Sequence, residues 1–518
     1  MTEIELKLLV DAAALPALRR RIGRLAGGAR PRVRQLATIY LDTAEEGLAK
    51  AGIALRLRRE GQRWTQTVKA ARSLRAGLSE TREVDTPAEG GRVDIAAIPD
   101  EAVRRTVGEA MAGLPIAPVY ETHMRRSVWE IVDGAARIEI ALDRGEVRAE
   151  GRAEALDELE LELIEGPPTT LFDLARRLFP EGPLRFSTLS KAARGRRLAA
   201  GSPAVAPAVP RNAERPAIAK NASVEAAGRE ILAECFAQIV ANVEAVAAGD
   251  DAEGPHQLRI GLRRLRSALR LTRPAFDGVR HRMLEGEAKW LGAETGRLRD
   301  VDVALADLVA PAAARAPEEP GFAPLAAALG ERAGGERARL RATLAGARAT
   351  AFLLDLAEYV ALRGWLDPAD HDQTARLARP FAKLAAEAMR KADAKVAKRA
   401  RVGKGGIESL DIEARHELRK AVKALRYMLE FTAPVWPAKR VKVLLKPLRR
   451  LQNLFGALND AAMAEALFLG PDAPCADDPA ASRAAGRLIG AANADALRDW
   501  EAARAAWDAF AEAPRPWR

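Results

Sequence analysis

The chain has 518 residues, of which 48% are hydrophobic and 30% charged, and its net charge is +11 at pH 7. This length predicts two or three domains, and the composition excludes a disordered chain. The basic surplus favours a polyanionic partner such as nucleic acid, an anionic membrane or polyphosphate, although an arginine-rich genome also raises it. We expect no membrane span or secretion signal, and the distant Cys235 and Cys475 predict free thiols in a reducing cytoplasm.

The hydropathy pattern changes near residue 200. Before that point, short runs alternate between polar and apolar residues with a period of two, which predicts strands, as in EIELKLLV, IALRLRRE and DELELELIEG. Helical patterns interrupt these runs around residues 11–27, 100–112 and 169–179. After residue 220, apolar residues recur at spacings of three and four, which predicts helices.

These patterns divide the chain into two domains and a linker. We expect an α+β domain with an antiparallel sheet at 1–198 and an all-α domain at 222–512. Residues 199–221 between them are rich in proline and alanine, which is typical of a semi-rigid linker.

Several predicted strands carry polar residues on one face. Side chains two residues apart share a face, which gives the sets Glu3, Glu5 and Lys7; Arg56 and Arg58; Thr65, Thr67 and Lys69; Glu139, Ala141 and Asp143; and Glu158, Glu160 and Glu162. The charged face of an amphipathic sheet is usually solvated, but solvated strands more often pair opposite charges. Sets with a single sign of charge instead suit a divalent cation and a phosphate chain held inside a curled sheet.

The same residues resemble the CYTH domains, also called triphosphate tunnel metalloenzymes. Glu3-x-Glu5-x-Lys7 is typical of that family, and further matching runs follow in the family's order at Tyr40 to Thr43, Leu55 to Arg58, Thr67 to Lys69, Ile138 to Glu146, Glu158 to Glu162 and Ser190 to Gly195. The resemblance covers residues 1 to about 198. It is strongest to the bacterial inorganic triphosphatases, which often carry a helical second domain.

This resemblance implies an eight-stranded antiparallel tunnel that hydrolyses a triphosphate, usually inorganic tripolyphosphate, with Mg²⁺ or Mn²⁺. Carried over by position, the metal ligands would be Glu3, Glu5, Glu160 and Glu162, with Glu160 favoured among the late glutamates. The phosphate contacts would be Lys7, Arg56, Arg58, Lys69, Arg126 and Lys191. Glu139 and Asp143 would form an acidic wall that helps to position the attacking water, and would act in catalysis with Glu3, Glu5 and Lys7.

Two local features complicate this assignment. The family tends to place Arg-x-Glu on a strand in mid-chain, whereas Arg82 and Glu83 are adjacent here, so a regular strand points them in opposite directions. We therefore leave Arg82 out of the site and keep Glu83 as a secondary candidate. Between Arg125 and Arg126, the spacing to Trp129 favours Arg126.

The helical half contains an internal duplication. His256-Gln257-Leu258-Arg259 recurs 160 residues later as His416-Glu417-Leu418-Arg419. Further pairs follow at the same separation, among them Arg263 with Lys423, Arg266 with Arg426, Gly296 with Gly456 and Asp300 with Asp460. The repeat predicts a fused pair of helical bundles at about 222–380 and 381–512.

Helical geometry places the cations of each repeat on one face, because the offsets between them fall within an arc of roughly 80°. One stripe contains His256, Arg259, Arg263 and Arg266, and the other contains His416, Arg419, Lys423 and Arg426. Such a stripe repels itself unless an anion or acidic residues lie opposite. A further stretch without any acid contains Lys439, Arg440, Lys442, Lys446, Arg449 and Arg450.

The repeat resembles the CHAD domain, the conserved-histidine α-helical domain, over about residues 222–512. The resemblance implies polyphosphate binding on a basic central surface. A lone histidine at a helix start is more often a cap or a core residue, but two at equivalent positions favour a binding role. Metal binding by them is disfavoured because no ligand companions lie at suitable spacing, and nucleic acid is disfavoured because aromatic residues make up only 5% of the chain.

Together, these features predict a metal-dependent inorganic triphosphatase with an attached polyphosphate-binding domain, located in the cytoplasm and associated with polyphosphate granules. One alternative is an organic triphosphatase for thiamine triphosphate or a nucleotide, or an adenylate cyclase, although no base-recognition feature stands out. Another is a non-enzymatic polyphosphate adaptor, against which the carboxylates at 158–162 argue because anion binding alone needs no such cluster.

Overall fold

The structure is a computed structural model that describes residues 2–401 and 406–517, without the side chains at position 72 and positions 457–460. The chain divides into two compact units. One unit contains Met1–Ala208 together with Leu344–Gly364, and the other contains Val209–Thr343 and Trp365–Arg518.

The first unit is built on an antiparallel sheet that closes on itself. Its strands in the described residues are β1 Thr2–Leu9, β2 Arg32–Thr43, β3 Ala54–Glu60, β4 Arg63–Arg75, β5 Leu78–Pro87, β6 Ile116–Asp133, β7 Ala136–Ala149, β8 Arg152–Glu165 and β9 Arg185–Phe186. The spatial order is β5-β4-β3-β2-β6-β7-β8-β1, and β1 pairs again with β5. The eight-stranded antiparallel barrel is thereby confirmed, with the short β9 added beside β1.

Alternation along the strands decides which side chains face the interior of the barrel. On β1, Leu6 and Leu8 are fully buried on the face opposite Glu5 and Lys7. The helices of this part of the chain are α1 Leu15–Leu25, α2 Gly47–Lys50, α3 Glu101–Met111, α4 Thr169–Leu178 and α5 Lys191–Ala199, and α2, α4 and α5 pack against strands of the barrel. The helices predicted near residues 11–27, 100–112 and 169–179 correspond to α1, α3 and α4.

The second unit is helical, as predicted. Its helices in the described residues are α6 Val224–Ala248, α7 Glu253–Phe276, α8 Val279–Val303, a π-helical segment Ala304–Val309, α9 Ala310–Arg315, α10 Phe322–Leu344, α12 Gln373–Ala378, α13 Phe381–Ala400, α14 Ile412–Thr432, α15 Ala438–Leu469 and α16 Pro479–Glu512, while α11 Ala347–Ala361 belongs to the first unit. Short 3₁₀ segments lie at Ala12–Ala14, Glu89–Gly91, Gly406–Ser409 and Ala433–Val435. The duplication also appears in the positions of the helices. When 160 is subtracted from the residue numbers of α15, the resulting range spans α8 and the π-helical segment.

Helix α6 is the one described helix that is long and apolar enough to cross a membrane by length and composition. Most of its apolar window, 61%, is buried inside the second unit, where it packs against α7. The core helix of a globular domain has the same length and composition, so α6 is weak evidence for a membrane span. Both cysteines are free, and Cys235 is buried within α6, where desolvation raises the pKa of its thiol to about 12.

Helix α11 lies within the range that the sequence assigns to the helical domain, yet it packs on the first unit against α4 and β4. The guanidinium of Arg176 on α4 donates hydrogen bonds of 2.6 Å to Asp355 and 2.6 Å to the buried Glu358, both on α11. Helix α4 in turn packs against β1 and β8. The first unit therefore includes a helix that follows its last strand by more than 150 residues.

Candidate functional site

A cavity of about 1440 Å³ lies inside the barrel and is lined by side chains of both charges. It collects the predicted residues Glu3, Glu5, Lys7, Arg56, Arg58, Lys69, Arg126, Glu139, Glu160, Glu162 and Lys191. Asp143 is fully buried and does not line the cavity. Nearly all the residues predicted for the tunnel thus line one space.

Glu160 is surrounded by three cationic side chains of the cavity. Its carboxylate accepts hydrogen bonds from Lys7 Nζ at 3.1 Å and Lys191 Nζ at 2.7 Å, and also from Arg126. Burial would raise the pKa of Glu160, but Lys191, Lys7 and Arg126 hold it well below its usual range. Three cations therefore already neutralise the glutamate that the sequence favours as a metal ligand.

Asp143 serves to hold two of those cations in place. Arg126 donates to its two oxygens at 2.8 and 2.7 Å, and Lys191 Nζ lies 2.9 Å away. Burial alone would raise the pKa of Asp143, but these two cations lower it. Asp143 is thus paired with Arg126 and Lys191 and is set back from the cavity in which the resemblance implies that it helps to position the attacking water.

The N-terminus of α5 delivers Lys191 to the site. Ser190 caps the helix by accepting a hydrogen bond from the Ala193 amide at 3.1 Å. A Cβ at Gly195 would lie 1.9 Å from Cδ2 of Tyr120, so only glycine lets α5 approach β6 this closely. The run Ser190 to Gly195 is therefore a helix start whose close packing places the lysine.

Three glutamates form a row across β1, β8 and β7. Glu5 lies directly opposite Glu162, and Glu162 lies directly opposite Glu139. Within residues 2–401 and 406–517, neither Glu139 nor Glu162 forms an ion pair. Burial, reinforced by Glu139 and Glu5, raises the pKa of Glu162 to about 7. Like charges placed opposite each other destabilise a sheet, so this row favours a bound cation.

Glu3 lies near the same row and is bonded by Lys69. Burial raises the pKa of Glu3 to about 7, with Lys69 opposing the shift and Glu5 and Glu83 adding to it. Glu83 points inward, where its carboxylate meets Arg56 at 2.9 Å and Lys69 at 2.7 Å. Although burial opposes it, the contact with Arg56 and Lys69 lowers the pKa of Glu83 to about 2.

Arg58 differs from the other predicted phosphate contacts, Lys7, Arg56, Lys69, Arg126 and Lys191, because it forms no ion pair in the part of the chain that the structure describes. Its Nε is buried without a hydrogen-bond partner. Burial, together with the nearby Arg56 and Arg126, lowers the pKa of Arg58 to about 10. An anion entering the cavity would relieve this repulsion, so Arg58 marks a place where negative charge is favoured.

The carboxylate row fits a hard divalent cation by its chemistry, because Mg²⁺ and Mn²⁺ prefer oxygen ligands. Glu5, Glu139 and Glu162 supply such oxygens, and Glu3 lies close by. Among the described residues, no three acidic, histidine or cysteine side chains are arranged to hold a metal ion as they stand. As they stand, Glu3 bonds Lys69 and Glu5 bonds Lys7, so these two lysines would compete with a bound metal for the carboxylates.

The cavity is also lined by residues that were not predicted as site residues, among them Arg34, Tyr40 and Arg196. Arg34 lies opposite Arg126 in the pairing of β2 with β6, Tyr40 lies opposite Arg56, and Arg196 projects from α5. Whether a β2 side chain reaches the cavity depends on how β2 pairs with β6, and this pairing has an irregularity between Tyr40 and Leu41. The alternation of polar and apolar residues along β2 does not reveal that pairing.

In the helical unit, the two predicted stripes meet. Lys423 of α14 is close to Arg419 and Arg426 on its own helix and to Arg259 and Arg263 on α7. Burial and these four arginines lower the pKa of Lys423 to about 7. The two repeats therefore form one composite cationic cluster, which we call the repeat cluster.

The remaining stripe residues occupy different settings. His256 is half-buried near Arg299 and His416 is exposed, and burial and neighbouring cations lower both histidine pKa values. Arg266 lies closer to Arg270 and Glu285 than to the repeat cluster. Arg259 is partly neutralised by Asp300 at 2.9 Å, and the side chain of the matching Asp460 lies outside the described residues.

Comparison with known proteins agrees with this architecture. The model of the CYTH domain matches residues 1–195, and the model of the CHAD domain matches residues 230–469. The chain therefore contains a CYTH domain in its barrel unit and a CHAD domain in its helical unit.

Individual relatives match parts of the chain. An inorganic triphosphatase of Haemophilus influenzae is 30% identical over 162 residues, which cover 31% of this chain and 45% of that protein, less than half its length. The CHAD domain from the plant Ricinus communis covers 59% of this chain and 99% of its own, with 29% identity and a TM-score of 0.49. A Hippeastrum protein, described as a candidate adenylyl cyclase with dominant triphosphatase activity, covers 40% and 98%, with 22% identity and a TM-score of 0.32.

Proposed function

We propose that the barrel is a divalent-metal-dependent hydrolase of triphosphates and that its substrate is inorganic triphosphate. The observation that carries this proposal is the presence, in one cavity, of charges of both signs that lack partners. Glu139 and Glu162 are carboxylates without an ion pair in the described chain, and Arg58 is a half-buried arginine without one, whose Nε is buried without a hydrogen-bond partner. A phosphate chain with a divalent cation supplies both missing partners at once.

The proposed roles follow from the contacts. Arg56, Arg58 and Arg126 would bind phosphate oxygens, because each guanidinium reaches the cavity from a strand. Lys7, Lys69 and Lys191 would contribute further charge, since each already bonds a carboxylate that lines or underlies the cavity. These cations would spread the charge that develops as the phosphoanhydride bond to the leaving phosphate breaks.

Glu3, Glu5 and Glu162 would hold the metal, with Glu139 beside them. When bound, Mg²⁺ or Mn²⁺ would neutralise phosphate oxygens and favour attack by water. Glu139 would orient the attacking water, because it faces the cavity opposite Glu162 and carries no competing ion pair. Glu160 would keep Lys7, Lys191 and Arg126 aimed at the phosphates, a role that its three bonds support better than metal ligation.

We further propose that the repeat cluster binds inorganic polyphosphate. Arg259, Arg263, Arg419, Lys423 and Arg426 place several cations in one partly buried region, which a flexible polyanion would neutralise. The helical domain would then hold the protein on long chains while the barrel acts on short ones.

The test is phosphate release from tripolyphosphate by the full chain, with Mg²⁺, with Mn²⁺ and with a chelator. Glu5→Gln and Lys7→Ala should each lower turnover by roughly a hundredfold or more, because each removes a charge aimed at the reacting groups. Glu146→Gln is the matched control, since Glu146 is a β7 glutamate that does not line the cavity and pairs with Arg148. Unchanged turnover in Glu5→Gln and Lys7→Ala would refute the assignment of the site.

The same assay separates the alternatives. Faster release from ATP or thiamine triphosphate than from tripolyphosphate would identify an organic triphosphatase, and formation of cyclic AMP would identify a cyclase. Tight polyphosphate binding without divalent ions and without turnover would identify an adaptor.

A further inference from the structure

A second large cavity lies in the helical unit, and none of its described lining residues belongs to the repeat cluster. It is an open groove of about 1470 Å³ between the extended segment 215–220 and the start of α15, with the turn Ala433–Val435 at its end. Its described lining runs along two separate stretches of chain, residues 215–220 and 433–449, so the groove favours an elongated ligand such as a segment of polypeptide over a compact one.

The rim of this groove is cationic on both sides. Lys442, Lys446 and Arg449 follow one another along one face of α15 over roughly 10 Å of helix. Arg215 and Lys220 lie on the opposite wall. All five side chains are exposed, none forms an ion pair in the described residues, and the described lining contains no acidic residue.

The floor of the groove is apolar. Val441 and Leu445 are buried below it, while Ile218 and Trp436 are half-buried and line it. The indole Nε1 of Trp436 has no hydrogen-bond partner in the described structure. If the five cations were only solvated, the apolar floor between them would have no role. A polymer that consists of anionic groups alone would bury no apolar surface against this floor.

We propose that this groove binds an acidic amphipathic peptide segment of a partner protein. The apolar side chains of the segment would enter the floor over Ile218 and Trp436, and its carboxylates would meet the cations on the two walls. The argument is charge complementarity in this arrangement: an apolar stripe flanked by acidic rows matches a floor flanked by basic rows. Polyphosphate offers phosphates without the apolar stripe, so it matches the walls alone.

The test measures binding of a fluorescent synthetic peptide of leucine and glutamate, with leucines at helical spacings of three and four, to the full chain by anisotropy. A peptide with serine in place of leucine has the same charge and should bind at least about fivefold more weakly, because it loses burial of apolar area. Lys446→Glu should weaken binding about tenfold, and Ile218→Ser about fivefold. Arg450→Glu is the matched control, since Arg450 is exposed on the same helix outside the described lining.

Several results would overturn the proposal. These are failure of the leucine peptide to bind, equal binding of the serine peptide, and equal weakening by Arg450→Glu and Lys446→Glu, which would reduce the effect to net charge. A fourth result combines two measurements: inorganic polyphosphate displaces the peptide, and the affinity for polyphosphate falls in Lys446→Glu but not in Ile218→Ser. This result would identify the basic walls as a polyphosphate surface.

Discussion

Arg82 and Glu83 are neighbours in sequence but point to opposite faces of β5. Glu83 enters the barrel and bonds Arg56 and Lys69, whereas Arg82 is half-exposed and pairs with Asp100, the N-cap of α3. Glu83 thus orients Arg56 and Lys69, two of the proposed phosphate contacts. Carboxylates that hydrogen-bond the ligands of a metal ion orient those ligands in the same way. We expect Glu83→Gln to lower kcat/KM for tripolyphosphate by roughly 10- to 100-fold.

Arg82→Ala is the control for this prediction, because it changes the adjacent position on the other face. Its kcat/KM should stay within about twofold of the wild type. Equal losses in the two variants would show that β5 as a whole, rather than the inward carboxylate, supports the activity.

We expect Arg58 to favour binding of tripolyphosphate without stabilising the free protein. Its charge is disfavoured without an anion, because burial and two nearby arginines lower its pKa to about 10. We expect Arg58→Met to raise KM for tripolyphosphate by roughly 10- to 100-fold, since charge-assisted hydrogen bonds contribute about 1.5–3 kcal/mol. The thermal midpoint measured without ligand should stay equal or rise.

Arg59→Met provides the comparison, because Arg59 is exposed and donates to the Gly61 carbonyl at 3.0 Å. Its KM should not change. A lower thermal midpoint in Arg58→Met without a change in KM would instead make Arg58 a structural residue.

Much of the barrel could be predicted from the sequence because polar and apolar residues alternate along most of each strand. Glu3, Glu5 and Lys7 share a face in the sequence, and the same three side chains line the cavity. Alternation also predicts the opposite directions of Arg82 and Glu83. What alternation cannot supply is the partner of each side chain, since that depends on register between strands distant in sequence.

Glu160 and Arg34 show this limit. The three cations on Glu160 come from β1, β6 and α5, so its ion pairs are visible only once those elements meet. Arg34 enters the site through its pairing with Arg126 on β6. Likewise, the helical repeat predicts each stripe, but only the packing of α7 against α14 reveals Lys423 among arginines of both repeats.

Lys423 predicts pH-dependent polyphosphate binding. Burial and the surrounding arginines lower its pKa from the ordinary lysine value to about 7, and a bound polyanion favours the protonated form and so raises that pKa. Its contribution to affinity is therefore complete below about pH 7 and is lost as pH rises above it, by at most about tenfold per unit. Titrations of long-chain polyphosphate between about pH 7 and 8.5 at constant ionic strength measure this fall.

Lys423→Arg should flatten this dependence, because arginine keeps its charge throughout the range. Lys420→Arg, at an exposed position on the same helix, should leave the dependence as in the wild type. The histidines titrate below this window, since burial lowers the pKa of both His256 and His416. An unchanged slope in Lys423→Arg would assign the proton to another group.

The bonds from Arg176 to α11 predict a local effect on stability. Arg176→Ala removes two hydrogen bonds to carboxylates and leaves the buried Glu358 with less compensation. We expect opening of residues 347–361 to become easier by roughly 1–3 kcal/mol, seen as about 5- to 100-fold faster amide hydrogen exchange there. Arg177→Ala, which removes an exposed pair with Asp133, should leave exchange in this helix unchanged.

The position of α11 also sets an order of events during synthesis. The last strand of the barrel sheet, β9, ends at Phe186, but the helix that packs on α4 is not complete until Ala361. At about 5–20 residues per second, the ribosome needs roughly 9 to 35 seconds to add the intervening chain. During that interval the nascent barrel exposes the surface of α4 that α11 later covers, so it is the stage at which the growing chain is most open to chaperones and to misassociation.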